Sequence, residues 1–460
     1  KLINLAVPDT IDERALNKRD SLNVYQKTEN NNLAVNAAKT IGCQVINIGA
    51  QDLIEGRPVL ILGLLWQIIK IQLTSQISLK NYPELVLLLS EGEEMSALSA
   101  LPPEDILLRW FNYHLKSGGS SRHVSNFGDD LKDSECYSVL LHQLDASNCD
   151  LCTESDPMDK AAHVISNAVK LGAYPFIRAE DICAANKKLN LGFVALLFNT
   201  CHGLTLSEEI IANFDFASLT LDDAGDTREE RVFRMWINSL NMPGVYIHNL
   251  FDDLSDGFVI LQLEDSVQPG VVNWKKANKD PKSVYKKVEN CNYAVEIGRS
   301  MGFSMVNIGG LDIVHKDKKL ILAIIWQLMR RHTLKVLAAL AAHEGLTEVT
   351  EEHIIHWANS RVARSGKTST MQNFKDHSLK TGVFLLDLVA AVEPRAVNWD
   401  LVTTGENDDD QLSNAKYCIS VSQKIGACVF LTPEDIVEVK SKMIMTFVSS
   451  IWATDLSMQR

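Results

Sequence analysis

The stretch NIGGLDIVHKDKKLILAIIWQ, from Asn307 to Gln327, ends in a run from Leu320 to Trp326 that contains no polar residue. A similar stretch, NIGAQDLIEGRPVLILGLLWQ, lies 260 residues earlier, from Asn47 to Gln67. Together with the preceding segments KTENNNLAV and KVENCNYAV, about sixteen of some forty positions are identical. A helix that is apolar on every side must be covered by other helices, so each copy predicts the centre of a helical bundle.

A second pair of segments repeats at an offset of about 250 residues. AVKLGA, at Ala168–Ala173, corresponds to SQKIGA, at Ser422–Ala427. Both copies also begin with a Trp-x-Asn triplet, at Trp110–Asn112 and at Trp357–Asn359. No alternating pattern indicates a strand, so the predicted fold is all-α, with four related helical bundles arranged as two tandem pairs in a compact core.

The repeats also predict the domain boundaries. A chain of 460 residues is too long for a single hydrophobic core, and four domains suit this length. The predicted segments are a first module at 1–76, a connector at 77–99, a second module at 100–206, an acidic linker at 207–226, a third module at 227–340 and a fourth module at 341–456.

The first module begins part-way through the repeat. Lys1 aligns with Gln262, so the first module has no counterpart of Glu229–Leu261 in the third module. A bundle without its opening helix would expose its core. We therefore expect the natural protein to carry this helix upstream of Lys1.

The composition argues against several classes of function. The chain has 46% hydrophobic and 22% charged residues, as a folded protein does, and its net charge of −13 disfavours general binding to nucleic acids. The longest apolar run, Val59–Leu73, is too short and too often interrupted to span a bilayer. Nine cysteines are scattered, and the C-x-x-C at Cys149 and Cys152 lacks a second pair, so we expect reduced thiols and no metal site.

Fragments of catalytic motifs are incomplete. The sequence SGKT at Ser365–Thr368 resembles the end of a phosphate-binding loop, but Arg361 stands where that motif requires glycine. His353 and His356 are three residues apart and lack the glutamate of a metalloprotease motif. The sequence therefore predicts no enzyme.

The repeated motif resembles that of a known domain. N-I-G-x-x-D-[IL], followed by K/R-x-x-L-I-L-x-x-[IL]-W-Q, is similar to the calponin-homology (CH) domain, and it occurs at Asn47–Gln67 and Asn307–Gln327. The other two modules resemble the second domain of a CH pair. Two pairs in one chain resemble the fimbrin (plastin) family, whose members bundle actin filaments as single chains.

This resemblance implies a partner and a location. The expected function is the cross-linking of filamentous actin by a monomer that binds two filaments, in the cytoplasm and the actin cytoskeleton, without a nucleic-acid or membrane partner. No D-x-[DN]-x-[DN]-G loop occurs, so no cofactor is expected in this chain and the calcium-binding EF-hands of the family would lie upstream. The alternative is a CH-domain scaffold for a signalling protein or microtubules.

The family resemblance also implies where actin would bind. The expected segments are Glu229–Leu240, Asp312–Lys335 and Glu351–Arg364 in the second half, and Asp52–Leu73 and Glu104–Lys116 in the first half. The candidate contact residues within these segments are Arg57, Gln67, Lys70, Arg109, Lys116, Arg231, Arg234, Lys316, Lys318, Lys319, Arg330, Arg331, Lys335, Arg361 and Arg364.

The two halves differ in charge. The second half concentrates Lys and Arg around the start and middle of its long apolar helix, whereas Glu55–Pro58 replaces this basic turn in the first half. A basic patch on an acidic chain favours an acidic partner. The other interpretation is a solvated helix end, where Arg330, Arg331 and Lys335 would be favourable near a helix C-terminus.

The charge difference predicts unequal salt dependence. Actin binding by residues 227–460 should weaken more steeply with added salt than binding by the first half in its full-length form, because exposed charges are screened by ions. Cosedimentation titrations measure both slopes. Equal slopes would contradict the predicted asymmetry.

Overall fold

The computed structural model describes residues 1–79, 81–93, 95–206, 228–342, 345 and 348–459. Every regular element in these residues is a helix, which confirms the all-α fold. The predicted acidic linker at 207–226 lies outside the described residues. The chain forms two compact units, one of Lys1–Ile68 with Asp226–Arg460 and the other of Ile69–Gly225.

The helices follow the module order. In chain order they are α1 (Leu2–Ala6), α2 (Val24–Thr40), α3 (Ala50–Ile54), α4 (Pro58–Thr74), α5 (Met95–Ser99), α6 (Pro103–Ser117), α7 (Glu135–Leu144), α8 (Pro157–Lys170), α9 (Ala179–Cys183), α10 (Lys187–Thr200), α11 (Arg228–Ser239), α12 (Leu250–Leu254), α13 (Phe258–Val267), α14 (Val284–Ser300), α15 (Gly310–Val314), α16 (Lys318–Ala341), α17 (Glu351–Arg364), α18 (Val383–Val392), α19 (Asp408–Lys424), α20 (Pro433–Val437) and α21 (Ser441–Met458). Short 3₁₀ helices are Glu13–Ala15, Pro83–Leu88, His377–Thr381 and Trp399–Leu401.

The third module is built around α16, as its apolar sequence predicts. Ile321, Ile325 and Leu328 of α16 are fully buried. They belong to one cluster with Phe233 and Trp236, which lie on the apolar face of α11. The opening and closing helices of the module therefore cover each other.

The equivalent helix of the first module is less covered. Val59 and Leu62 of α4 are 82% and 64% exposed. Other residues of α4, among them Ile61, Leu64 and Leu65, line an open, mainly apolar groove of about 410 Å³. Helix α16 is not completely covered either, because Leu320, Leu322 and Trp326 are only partly buried. It is covered more fully than α4, since the described part of the first module contains no counterpart of α11.

In three modules, an asparagine within the opening helix fixes the loop that follows that helix. Each is the last residue of a Trp-x-Asn triplet, and its side chain donates to, and accepts from, the main chain of one loop residue. Two hydrogen bonds from one side chain hold the loop in a single register. The pairs are Asn112 with Val124 (2.8 and 2.8 Å), Asn238 with Ile247 (3.0 and 2.7 Å) and Asn359 with Met371 (2.8 and 2.8 Å).

The first and fourth modules pack together within one unit, through α2 and α19. Asn36 Nδ2 donates to the carbonyl of Gln423 at 3.0 Å in a buried contact. Lys424, whose side chain is 8% exposed, donates to Asn17 Oδ1 at 3.2 Å and lies 3.7 Å from Glu29. Burial lowers the pKa of Lys424, and Glu29 opposes that shift. This interface is therefore held by polar groups that are largely desolvated.

The second unit has an aromatic core. Trp110, Phe111 and Tyr137 are completely buried. Trp110 Nε1 donates to the carbonyl of His202 at 2.7 Å, which ties the opening helix to the segment after α10. Each buried aromatic ring contributes a large apolar area, and the indole N–H keeps a partner.

One core position carries a carboxyl group that has no hydrogen-bond partner among the described residues. Glu264 of α13 is 0% exposed, and neither of its carboxylate oxygens is paired. Burial raises the pKa of Glu264 to about 9. The alignment of Lys1 with Gln262 places Ile3 at the equivalent position of the first module, so the repeat itself accepts an apolar side chain here.

Glu264→Leu should stabilise the third module at neutral and alkaline pH. Between pH values of about 4.5 and about 9 the folded Glu264 holds a proton that the unfolded chain releases, so its contribution to stability falls as pH rises. The variant should unfold at a higher temperature than the parent at pH 8, with a smaller difference at pH 5. Thermal melts at both pH values test this, and parallel pH profiles would contradict it.

Candidate functional site

The predicted surface of the second half is formed by three helices of one unit. Helices α11, α16 and α17 hold all of its candidate cations except Lys316, which lies in the turn before α16. That turn is held by Asp317, whose main-chain N donates to the Asp312 carbonyl at 2.9 Å and whose carboxylate accepts from Leu320 N at 3.0 Å. The turn and the start of α16 are therefore rigidly capped.

The positions of these cations are not explained by helix stability. Lys318 and Lys319 are the first two residues of α16, where the helix dipole disfavours positive charge. Helix α16 continues to Ala341, so Arg331 and Lys335 do not lie in its last turn. The interpretation as a favourable helix end is therefore wrong, and the exposed cations remain available for another role.

Eight of the ten candidate cations of the second half fall into two groups. The exposed side chains without an ion pair among the described residues are Arg231, Lys318, Lys319, Arg331, Lys335 and Arg364. Two of these six make hydrogen bonds within the module, because Lys335 Nζ donates to the Val267 carbonyl at 2.9 Å and Arg331 Nη2 donates to Gln268 Oε1 at 3.3 Å. Two others are paired, because Lys316 contacts Asp252 and Arg330 Nε lies 2.8 Å from Glu351. Ion pairs of this exposure add little stability, so partner binding can compete for them.

Ion pairs also join the third and fourth modules. Arg330 of α16 contacts Glu351 of α17, and Lys442 of α21 lies 3.0 Å from Glu229 of α11. The Lys442 ammonium is also 5.6 Å from the centre of the Trp326 ring. Lys442 was not among the predicted residues, because its partners are more than a hundred positions away in the sequence.

Two predicted contact residues of the second half have internal roles. Arg361 Nη2 lies 2.9 Å from Asp455, whose side chain is only 5% exposed. Arg234 Nη1 donates to the carbonyl of His248 at 2.6 Å. Both guanidinium groups hold neighbouring segments of their own modules, so we do not retain them as partner contacts.

Gln67 has an internal role in the first module. Its side chain accepts from Gln44 N at 2.7 Å and donates to the Gln44 carbonyl at 2.9 Å. Gln327 makes the same pair of bonds with Ser304, at 2.7 and 3.1 Å. The glutamine of the repeated W-Q motif therefore holds the preceding loop against the last helix, and this internal role accounts for Gln67 without a partner contact.

The remaining candidates of the first half are mostly paired. Arg57 lies 3.0 Å from Asp52 and 2.8 Å from Glu55.

Within the second unit, Lys70 contacts Glu104, and Arg109 makes two hydrogen bonds to Glu93, at 2.6 and 2.9 Å. The Arg109 guanidinium lowers the pKa of Glu93 to about 2. Lys116 is exposed. Most of the positive charge of the first-half candidates is therefore already neutralised by adjacent carboxylates.

The fragments of catalytic motifs serve packing. Lys367 of the SGKT sequence lies 3.7 Å from the centre of the Trp399 ring and 3.2 Å from Asp387. His353 lies in the first turn of α17, where its Nδ1 accepts from Thr350 N at 3.2 Å. These side chains stabilise the fourth module.

Sequence comparison places the chain among known proteins. The family model described as the calponin homology (CH) domain matches residues 1–74, 101–203, 227–334 and 348–456. Fimbrin-3 of Arabidopsis thaliana is 47% identical, over 100% of this chain and 64% of the relative. Fimbrin of Saccharomyces cerevisiae is 45% identical, over 98% of this chain and 71% of the relative. Plastin-3 of Danio rerio is 44% identical, over 97% of this chain and 72% of the relative.

A solved structure extends the likeness to three dimensions. The actin-crosslinking core of Schizosaccharomyces pombe fimbrin matches with a TM-score of 0.81 and 41% sequence identity. The match covers 98% of this chain and 90% of that core. Among the residues that the structure describes, no helix is both long enough and apolar enough to cross a bilayer.

Two arginines of α17 should respond differently to substitution. Arg361→Ala leaves the buried Asp455 carboxylate without its cation, so it should lower the free energy of unfolding of the fourth module by about 3 kcal/mol. Arg364→Ala removes an exposed side chain and should change the free energy of unfolding by less than about 0.5 kcal/mol. Hydrogen exchange of α17 and α21 measures both. Similar decreases in the free energy of unfolding in the two variants would contradict the internal role of Arg361.

Proposed function

Because the chain belongs to the fimbrin (plastin) family of CH-domain proteins, we propose that it cross-links actin filaments, with each half binding one filament. The observation that carries this proposal is the likeness to the fimbrin actin-crosslinking core over 90% of that core's length. The chain spans 64% of the length of Fimbrin-3, so the proposal concerns residues 1–460.

The doubled arrangement supports bundling by a single molecule. A cross-linker must present two separate binding sites for the same polymer, and a monomer can do so only if its chain contains both. The sequence repeats a pair of modules at an offset of about 250 to 260 residues, and the first copy of the pair begins part-way through its first module. We therefore propose that one monomer holds two filaments, within the actin cytoskeleton, without a cofactor of its own for actin binding.

The second half offers the stronger electrostatic surface for this role. Lys318 and Lys319 are exposed at the start of α16, where they oppose the helix dipole, and Arg331 and Lys335 are exposed further along it. The chain as a whole carries a charge of −13. A local cationic surface on an acidic protein favours an acidic partner and excludes unselective attraction to polyanions.

We propose that each predicted segment of the first half, taken by itself, offers actin a less ionic surface than the segments of the second half. Arg57, Lys70 and Arg109 are engaged by carboxylates, whereas Lys116 is exposed. On α4, Val59 and Leu62 are exposed apolar side chains in the predicted contact segment. Binding through such a surface depends more on apolar area than on charge, which is the physical basis of two unequal sites.

A CH-domain scaffold for a signalling protein or microtubules is not favoured. The fold alone would permit it, because CH modules serve several partners. The likeness to fimbrins, however, extends over nearly the whole chain rather than over single modules. A scaffold with one partner would not require both pairs.

Pelleting at two speeds tests the proposal. The chain should sediment actin filaments at low speed, where only bundles pellet. Lys318→Glu with Lys319→Glu should weaken the second site about tenfold, equivalent to about 1.4 kcal/mol. This variant should lose most low-speed pelleting but still bind filaments at high speed through the first half.

The matched control is Lys279→Glu with Lys282→Glu, which makes the same change in net charge outside the predicted segments. It should bundle like the parent chain. If both double variants lost low-speed pelleting to the same extent, Lys318 and Lys319 would not form part of a specific actin-binding surface. Filaments that bind the parent chain without pelleting at low speed would contradict cross-linking itself.

A further inference from the structure

Three potential metal ligands converge in the second module. The Cys152 Sγ, a carboxylate oxygen of Glu154 and a ring nitrogen of His163 lie within 4.8 Å of one another. His163 Nδ1 is 2.8 Å from Glu154 Oε1. All three residues belong to the same compact unit, and none of them has a part in the proposed binding of actin.

The local fold holds these side chains in place. Cys152 and Glu154 lie two residues apart in a non-helical segment between α7 and α8, and in an extended chain such residues point to the same side. Cys152 N donates to Ser138 Oγ of α7 at 2.7 Å. Asp156 caps α8 by accepting from the N–H groups of Met158 and Asp159. The segment is therefore anchored to both helices.

We propose that Cys152, Glu154 and His163 form a binding site for Zn²⁺. A thiolate, a carboxylate and an imidazole are ligands that zinc accepts together, and a water molecule would complete a tetrahedral set. The thiolate and the carboxylate balance the charge of a divalent cation. Binding replaces the thiol proton and the hydrogen bond between His163 and Glu154 with bonds to the metal.

The surroundings suit a cation that enters from solvent. The side chains of His163 and Glu154 are 20% and 32% exposed, so the ligands are accessible without unfolding. The nearest cationic side chain on α8 is Lys160, and its ammonium is paired with Glu135. Repulsion from Lys160 is therefore reduced, and the two anionic ligands dominate the local field.

This site differs from the one that the sequence pattern suggests. Cys149 is fully buried, and its thiol contacts the carbonyl of Asn167 at 3.4 Å, outside the cluster. The C-x-x-C pair is therefore not the ligand set. The expectation of no metal site depended on the missing second cysteine pair, whereas His163 supplies a ligand from α8.

Zinc would connect the segment after α7 to the second turn of α8. Two ligands belong to the segment and the third to the helix, so the metal links elements that otherwise meet through a few hydrogen bonds. A ligand that binds only the folded state raises its stability in proportion to the logarithm of ligand concentration over Kd. Zinc should therefore raise the unfolding temperature of the second module.

Metal titration of the purified 460-residue chain tests this site. After removal of metal with a chelator, the chain should bind one Zn²⁺, measured by competition with a chromophoric indicator. With Co²⁺ as the spectroscopic probe, it should show a thiolate-to-metal charge-transfer band. Cys152→Ser should abolish that band, and His163→Gln should weaken Zn²⁺ binding by more than about tenfold, since even outer-shell changes at zinc sites cost that much.

The control variant is Cys183→Ser, which removes another partly exposed thiol of the same module. It should leave the Co²⁺ band and the Zn²⁺ affinity unchanged. Absence of a thiolate band in the parent chain would overturn the proposal. So would a band that survives Cys152→Ser or disappears in Cys183→Ser. Thermal melts with and without Zn²⁺ should show a stabilisation that Cys152→Ser removes.

Discussion

The third module depends on one interaction, the burial of the apolar helix α16 against the helices around it. Residues Leu320–Trp326 offer no polar face, so burial of this stretch of α16 is favourable on every side, and Ile321, Ile324 and Ile325 are buried. The apolar stripe of α11, including Phe233 and Trp236, supplies one side of this cover. Around α4 the described residues include no counterpart of α11, and an apolar groove is lined there by Ile61, Leu64 and Leu65.

Side-chain amides position the loops around these cores. Three modules use the asparagine of a Trp-x-Asn triplet to hold the loop after the opening helix, and two use the glutamine of a W-Q motif to hold the loop before the closing helix. Each motif also contains a tryptophan: Trp110 and Trp236 are buried, and Trp326 packs against the core of the third module. Apolar packing and loop geometry are thus encoded together in motifs of two or three residues.

The halves share this framework but use their charges differently. In the first half, carboxylates close to the candidate cations neutralise them, as at Arg57 and Arg109. In the second half, Lys318 and Lys319 stay exposed at a helix N-terminus, although that position is unfavourable for the helix itself. A duplicated core can therefore carry two different surfaces, because surface charges contribute little to folding and are easily changed.

The sequence by itself determined the helical fold, the four modules and the family. Repeats and helical periodicity can be recognised in the order of the residues alone, without knowing which residues are in contact. It also indicated the segments of the candidate surface. Only the tertiary structure decided which polar residues remain available there. Gln67 forms hydrogen bonds with a residue 23 positions away, and Arg361 with one 94 positions away. The ring of His163 lies within 4.8 Å of the Cys152 thiol. Such partners are set by how helices pack, and packing brings together residues whose spacing in the sequence follows no period.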